Sequence, residues 1–201
     1  MSKIYKPPLD PLDIIYEDAE FVIVNKPSGL LSVPGKGKHL SDCLLERLKL
    51  IFPDALLVHR LDRDTSGLII FALTKFSQRH ISLQFEKRQI KKAYVADVWG
   101  KLDKKRGVVN LPLIVDWPNR PMQHVDHEIG KEAITEWKVQ RYSKVSTRVK
   151  LSPKTGRSHQ LRVHMKEIGH PILGDPFYAI GKAADFPRLM LHAESLRFNH
   201  P

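Results

Sequence analysis

The sequence predicts an α+β fold: a mostly antiparallel, twisted mixed sheet with helices packed outside it. Three observations carry that expectation. Residues 91–100 and 133–151 alternate apolar and polar side chains with the two-residue period of half-exposed strands. Residues 67–73, Gly-Leu-Ile-Ile-Phe-Ala-Leu, form a near-continuous apolar run, the pattern of a strand covered on both faces. Three other stretches place apolar residues at helical spacing behind a hydroxyl residue able to cap them. The chain has 201 residues, which suits one large domain or two closely joined lobes.

In chain order, residues 1–12 are Pro-rich and read as an extension over the surface, with the main body at 13–201. Ile14–Glu17 and Glu20–Asn25 form two short strands around a turn at Asp18-Ala19. Asn25-Lys26-Pro27-Ser28-Gly29 opens a loop whose Pro and Gly set turns and leave backbone N–H groups available. Ser41 caps a helix through Phe52, with Leu44, Leu45, Leu48, Ile51 and Phe52 on one face; Pro53-Asp54 ends it. Thr74 caps a second helix over 75–88, with Phe76, His80, Ile81, Gln84 and Phe85 sharing a face. Residues 91–100 follow as a strand bearing Tyr94, Ala96 and Val98 on one side. Val108–Val115 is a strand interrupted at Pro112. Trp117-Pro118-Asn119-Arg120-Pro121 is a stiff turn, either punctuation or an exposed finger. Residues 133–142 and 147–151 pair as a hairpin around 143–146. Ser158 caps a helix whose apolar face is Leu161, Met165 and Ile168, while His159, Arg162 and Lys166 share another face. His170–Asp175 is a tight turn, and 189–193 is the last clear strand.

Composition narrows the function. Lys and Arg total 33 against 22 Asp and Glu, a net charge of +11 that points to a polyanionic partner. No apolar run is long enough to span a bilayer, and no long basic amphipathic helix favours a membrane surface. The N-terminus lacks the apolar core of a signal peptide, which leaves the cytoplasm as the expected location. A lone cysteine, Cys43, excludes an internal disulfide framework and any cysteine-based zinc cluster; beside Leu44 and Leu45 it reads as a packed thiol. Ten histidines are scattered, and nothing beside His124 and His127 completes a metal set. Neither a Rossmann fingerprint nor a Gly-x-Ser-x-Gly elbow is present. No metal and no organic cofactor is expected.

The chain is organised around Leu57-Val58-His59-Arg60-Leu61-Asp62-Arg63-Asp64-Thr65-Ser66-Gly67-Leu68. Two carboxylates, two guanidiniums, an imidazole and two hydroxyls sit between apolar strands, so a rigid scaffold presents charged groups in a turn. A solvated turn with Asp and Arg paired to each other is the plainer reading. Within it, His-Arg-Leu-Asp-x-x-Thr-Ser-Gly at residues 59–67 resembles the catalytic signature of the RluA-type pseudouridine synthases without a mismatch. Asn-Lys-Pro-x-Gly at 25–29, the Tyr94 strand and Thr-Gly-Arg-x-His-Gln-Leu-Arg-x-His at 155–164 continue the likeness in order. The Trp-Pro-Asn-Arg-Pro turn is similar to the RluA subgroup of that family.

The resemblance implies the pseudouridine synthase fold, two joined lobes with a central catalytic cleft, and isomerisation of uridine to pseudouridine in RNA stem-loops. The implied substrates are the tRNA anticodon arm and large-subunit rRNA, bound by a monomer, with no DNA partner. It makes Asp62 the essential carboxylate, Arg162 its cationic partner and Tyr94 the residue stacked on the target base, with both beside Asp62 on the cleft floor. Arg60 is the candidate to fill the space of the flipped base. His59, Lys26, Arg120, Arg157 and His159 are the other expected RNA contacts, while Asp64 is expected to pair locally. The family continues past His200-Pro201 into a further strand and tail, so the present end is expected to be a truncation. Two rival readings stand: a metal-dependent nuclease using Asp62 and Asp64, for which no third carboxylate is evident, and an RNA-binding module without chemistry.

Overall fold

A computed structural model describes residues 5–201; the first four residues of the expected extension lie outside the described residues. The chain divides into two compact units. One runs to Ile90 and takes up Ser195–Pro201; the other is Lys91–Glu194.

In the first unit, β1 (Asp13–Glu17), β2 (Phe21–Lys26) and β4 (Ser66–Ala72) form an antiparallel sheet in the order β1-β2-β4, with the two-residue β3 (Leu56–Leu57) also paired to β4. Val24 of β2 faces Ile69 of β4 across the ladder, and both are fully buried, as the apolar run foretold. The turn between β1 and β2 is fastened by Asp18, whose carboxylate accepts from Glu20 N (2.7 Å), Phe21 N (2.9 Å) and the Tyr16 hydroxyl (2.8 Å). Helix α1 spans Leu44–Lys49 and α2 spans Lys75–Glu86. Thr74 caps α2 in a reciprocal box: its hydroxyl accepts from Ser77 N, and the Ser77 hydroxyl accepts from Thr74 N. Ser77, Ile81 and Gln84 are the buried face of α2. Gln84 exchanges two hydrogen bonds of 2.8 Å with the backbone of Asn199, and Phe198 packs edge-on against Phe21 at 5.2 Å. The returning segment thereby closes the first unit's core.

Three expectations change here. Helix α1 starts at Leu44, because Leu44 N and Leu45 N donate to Leu31 O and Ser32 O, so a neighbouring loop caps it. Ser41 instead closes a short 3-10 turn at Lys38–Leu40 through its hydroxyl on Lys38 O (2.8 Å). Ile51 and Phe76 lie outside the apolar faces assigned to them and are exposed. Within the Pro-rich extension, the Tyr5 hydroxyl donates to Asp42 O (2.9 Å) and accepts from Leu31 N (3.1 Å), so the extension is anchored there.

The second unit contains β5 (Lys91–Trp99), β6 (Arg106–Asn110), β7 (Leu113–Val115), β8 (Gln123–Val125), β9 (Ile134–Tyr142), β10 (Ser146–Pro153) and α3 (Gln160–Glu167). Strands β5-β10-β9-β6 lie in that order, all antiparallel, and β7 pairs with β8 as a separate two-stranded hairpin. The last strand, β11 (Leu191–Arg197), begins in this unit and ends in the first. The core joins Ala96 and Val98 of β5, Val149 and Leu151 of β10, and Trp137 of β9 with Leu161 and Met165 of α3. Gly107 of β6 faces Trp137, where a Cβ would lie 2.7 Å from the indole; only a residue without a side chain lets the strand lie on that ring. Helix α3 starts two residues later than its expected cap: His159, not Ser158, stands at its N-terminus, in the left-handed region at φ 52°.

Candidate active site

The signature residues form the connection between β3 and β4 in the first unit. Asp62 is half-buried at its centre, and the backbone around it is fastened to the loop after β2. The Ser32 hydroxyl donates to Leu61 O (2.7 Å) and accepts from Leu61 N (3.2 Å). Gly29 N donates to Arg63 O (2.9 Å), and the Ser28 hydroxyl donates to Asp64 O (2.7 Å). Thr65 N turns back onto Asp62 O (3.2 Å). The carboxylate of Asp62 is thus carried on backbone pinned on both sides, the preorganisation a reacting group requires. Asp64 pairs with Arg63 through two contacts, Nε–Oδ1 at 2.8 Å and Nη2–Oδ2 at 3.0 Å.

Lys26 is the central brace, and its expected role at the RNA surface is corrected. It is fully buried, and its Nζ donates to Pro27 O (2.9 Å), Leu30 O (2.8 Å) and Arg63 O (2.8 Å). Burial pushes its pKa down to about 7, and the Asp64 and Asp62 carboxylates push back. Only the protonated amine has three N–H bonds to give three carbonyls. Removing it orphans all three, each at about 1–3 kcal/mol. Lys26→Met is therefore expected to lower unfolding free energy in urea by about 3 kcal/mol; a loss under about 1 kcal/mol would show that the brace is dispensable.

His59 is half-buried. Its Nε2 accepts from Ile70 N (3.1 Å), and its ring stacks on Phe85 at 4.6 Å, so it buttresses the loop from below. Arg60 is exposed.

In the second unit, Tyr94 lies on β5 opposite Leu151 and is half-buried against the core. Arg162 does not sit on a solvated basic face. It is 1% exposed, and its Nε and Nη2 each meet Asp175 at 2.7 Å. Asp175 also accepts from Phe177 N (3.0 Å) and Tyr178 N (3.2 Å), and the rings of those residues lie 5.3 and 5.2 Å from the guanidinium. His159 is buried as well: its Nδ1 is 2.7 Å from the Tyr178 hydroxyl, which accepts from Gln123 N on β8 (2.8 Å). It ties Tyr178 to the start of α3. Arg157 is half-exposed, with Nε on Glu132 O (3.0 Å). Arg120 lies exposed at the tip of the β7–β8 hairpin, its guanidinium 3.2 Å over the exposed Trp117 ring.

Asp175 and Tyr178 are the residues that sequence reasoning missed. The one signal was an acid in a tight turn followed closely by two aromatic residues, and nothing in the spacing joined it to an arginine thirteen positions earlier.

Comparisons with known proteins bear on this geometry. The family model for RNA pseudouridylate synthase matches residues 20–167. The chain is 54% identical to the dual-specificity RNA pseudouridine synthase RluA of Escherichia coli (strain K12) over 200 residues, covering 98% of this chain and 91% of that protein. The corresponding protein of Pasteurella multocida (strain Pm70) is 55% identical with the same coverage. Among solved structures, human RNA pseudouridylate synthase domain containing 1 superposes with a TM-score of 0.81 at 29% identity, over 97% of this chain and 81% of that one. Human RNA pseudouridylate synthase domain containing 4 gives 0.73 at 26%, over 92% and 83%.

Proposed function

This chain belongs to the RNA pseudouridylate synthase family, isomerases that convert uridine to pseudouridine within RNA, and on that premise we propose the part each residue takes and the RNAs it serves. The reaction breaks the N1–C1′ bond, turns the uracil while it stays bound and joins C5 to C1′. Asp62 acts on the ribose, either by attack at C1′ or by assisting proton loss at C2′. The observation that supports this assignment best is its half-buried place on a doubly pinned backbone. Tyr94 stacks on the target base, and its phenol takes the C5 proton. Arg162 supplies a buried positive charge, held in orientation by Asp175. Arg60, exposed and planar, fills the space that the flipped base leaves. Arg120 and Arg157 meet RNA from the second unit.

The substrates we assign are the tRNA anticodon stem-loop and a similar loop of large-subunit rRNA; the curated relatives carry the words dual-specificity RNA pseudouridine synthase in their names. Residues 13–201 serve as the catalytic body, acting as a cytoplasmic monomer without a cofactor. Among the described residues no helix is long and apolar enough to cross a membrane.

The test uses purified protein, stem-loop transcripts tritiated at uridine C5, and EDTA in the buffer. Tritium release from the anticodon and rRNA stem-loops is the expected result. Release from one alone narrows the substrate. Silence from both with tight binding intact overturns the catalytic reading in favour of a binding module. Affinity should also fall steeply with salt, because each neutralised phosphate releases counterions; a flat dependence would remove the basic surface as the RNA face.

A further inference from the structure

Two lysines of this chain are treated very differently by the fold. Lys26 saturates its ammonium with three carbonyls. Lys92, on β5, is half-buried yet has one long hydrogen bond, 3.4 Å to Thr155 O. Burial pushes its ammonium below the ordinary lysine value, and no carboxylate opposes the shift. A cation partly withdrawn from water, with no counterion among the described residues, is a cost that the folded chain carries.

The surroundings are shaped for an anion. Lys92 stands two residues before Tyr94, on the same side of the strand by alternation. Beside it lies the turn of Thr155, Gly156 and Arg157. That turn is rigid: the Thr155 hydroxyl accepts from Ile134 N (2.9 Å) and donates to Gln160 Oε1 (2.7 Å), which also accepts from Arg157 N (3.0 Å). Gly156 is exposed, and a Cβ there would come within 3.3 Å of the Lys92 Nζ. Any side chain at 156 would therefore crowd the ammonium where the turn meets solvent. We propose that Lys92 and the bare Gly156 turn form a phosphodiester subsite that grips the RNA backbone next to the base held by Tyr94. The proposal rests on the assignment of Tyr94 to the target base. The ligand is a backbone phosphate, because an ammonium is a compact point charge suited to a non-bridging oxygen.

The experiment measures stem-loop RNA affinity over a series of salt concentrations, the single-turnover rate at saturating RNA, and melting temperature. Lys92→Met, Lys92→Arg and Gly156→Ala are compared with the parent chain. Lys92→Met is expected to weaken binding about tenfold and to lower the slope of log affinity against log salt by about 0.7–0.9, the loss of one phosphate contact. The saturated rate should stay within about twofold. Lys92→Arg should recover the slope, and Gly156→Ala should weaken binding with the charge still in place. An unchanged slope after Lys92→Met, whether affinity falls or not, overturns the subsite, since contact with a base carbonyl releases no counterion. So does a fall in saturated rate at unchanged affinity. Should Lys92→Met fail to fold, the other two variants decide: unchanged affinity in Gly156→Ala counts against the subsite. Competition by inorganic phosphate alone, with RNA affinity unaffected by every variant, would mark a free-anion site and overturn the RNA assignment. Failure of the functional reading looks different, because the parent chain itself then releases no tritium.

Discussion

Asp62→Asn is expected to reduce tritium release from the stem-loop by at least about a thousandfold while RNA affinity stays within a few-fold of the parent value. The amide keeps the shape of the carboxylate, and the loop's backbone is held by other groups. Leu61, Arg63 and Asp64 are held by Ser32, Gly29, Lys26 and Ser28, and Thr65 N bonds the Asp62 carbonyl, which the substitution retains. On the proposed role, what the variant loses is the carboxylate oxygen that acts at C1′ or C2′. Loss of binding with unchanged turnover per bound RNA would reassign Asp62 to recognition. Retained turnover would remove it from the chemistry altogether.

Asp175→Ala is expected to lower folding stability by about 3–5 kcal/mol, because it removes a carboxylate that meets a fully buried cation through two contacts. Arg162 would lose two contacts of 2.7 Å, and Phe177 N and Tyr178 N would lose their acceptor. Against a total of about 5–15 kcal/mol, that is a large share. Asp175→Asn keeps one of the two acceptor oxygens and should cost less. Chemical denaturation followed by the tryptophan signal reads both. Near-parent stability for Asp175→Ala would mean that Arg162 finds compensation in its other surroundings and that the pair does not organise α3.

The RNA pseudouridylate synthase signature was legible because its chemistry is contiguous: Asp62 stands within nine residues that match the resemblance throughout. The buried strand β4, the capped α2 and the β9–β10 hairpin were legible because period and turn chemistry agree there. Spacing says which side chains share a helix face, but not whether that face meets water. Arg162 and Lys166 lie one turn apart, yet Arg162 is enclosed by Asp175, Phe177 and Tyr178 while Lys166 is exposed. The same gap hid the surroundings of Lys26 and His159, whose partners include backbone carbonyls and a distant tyrosine hydroxyl. Helix α1 was overextended because its first N–H groups are satisfied by Leu31 and Ser32, a tertiary capping that no local residue announces.

The first unit is discontinuous in sequence, since Phe198 packs on Phe21 and Asn199 locks onto Gln84 from beyond the whole of the second unit. Translation is vectorial, so residues 91–194 must leave the ribosome before that seal can form. The scaffold under Asp62 is therefore laid down first and completed last, and a nascent chain carries the signature loop on an open core until residues 195–199 emerge. Folding of the second unit ahead of that moment brings the closing segment home as a short, entropically cheap step rather than a search across a hundred free residues.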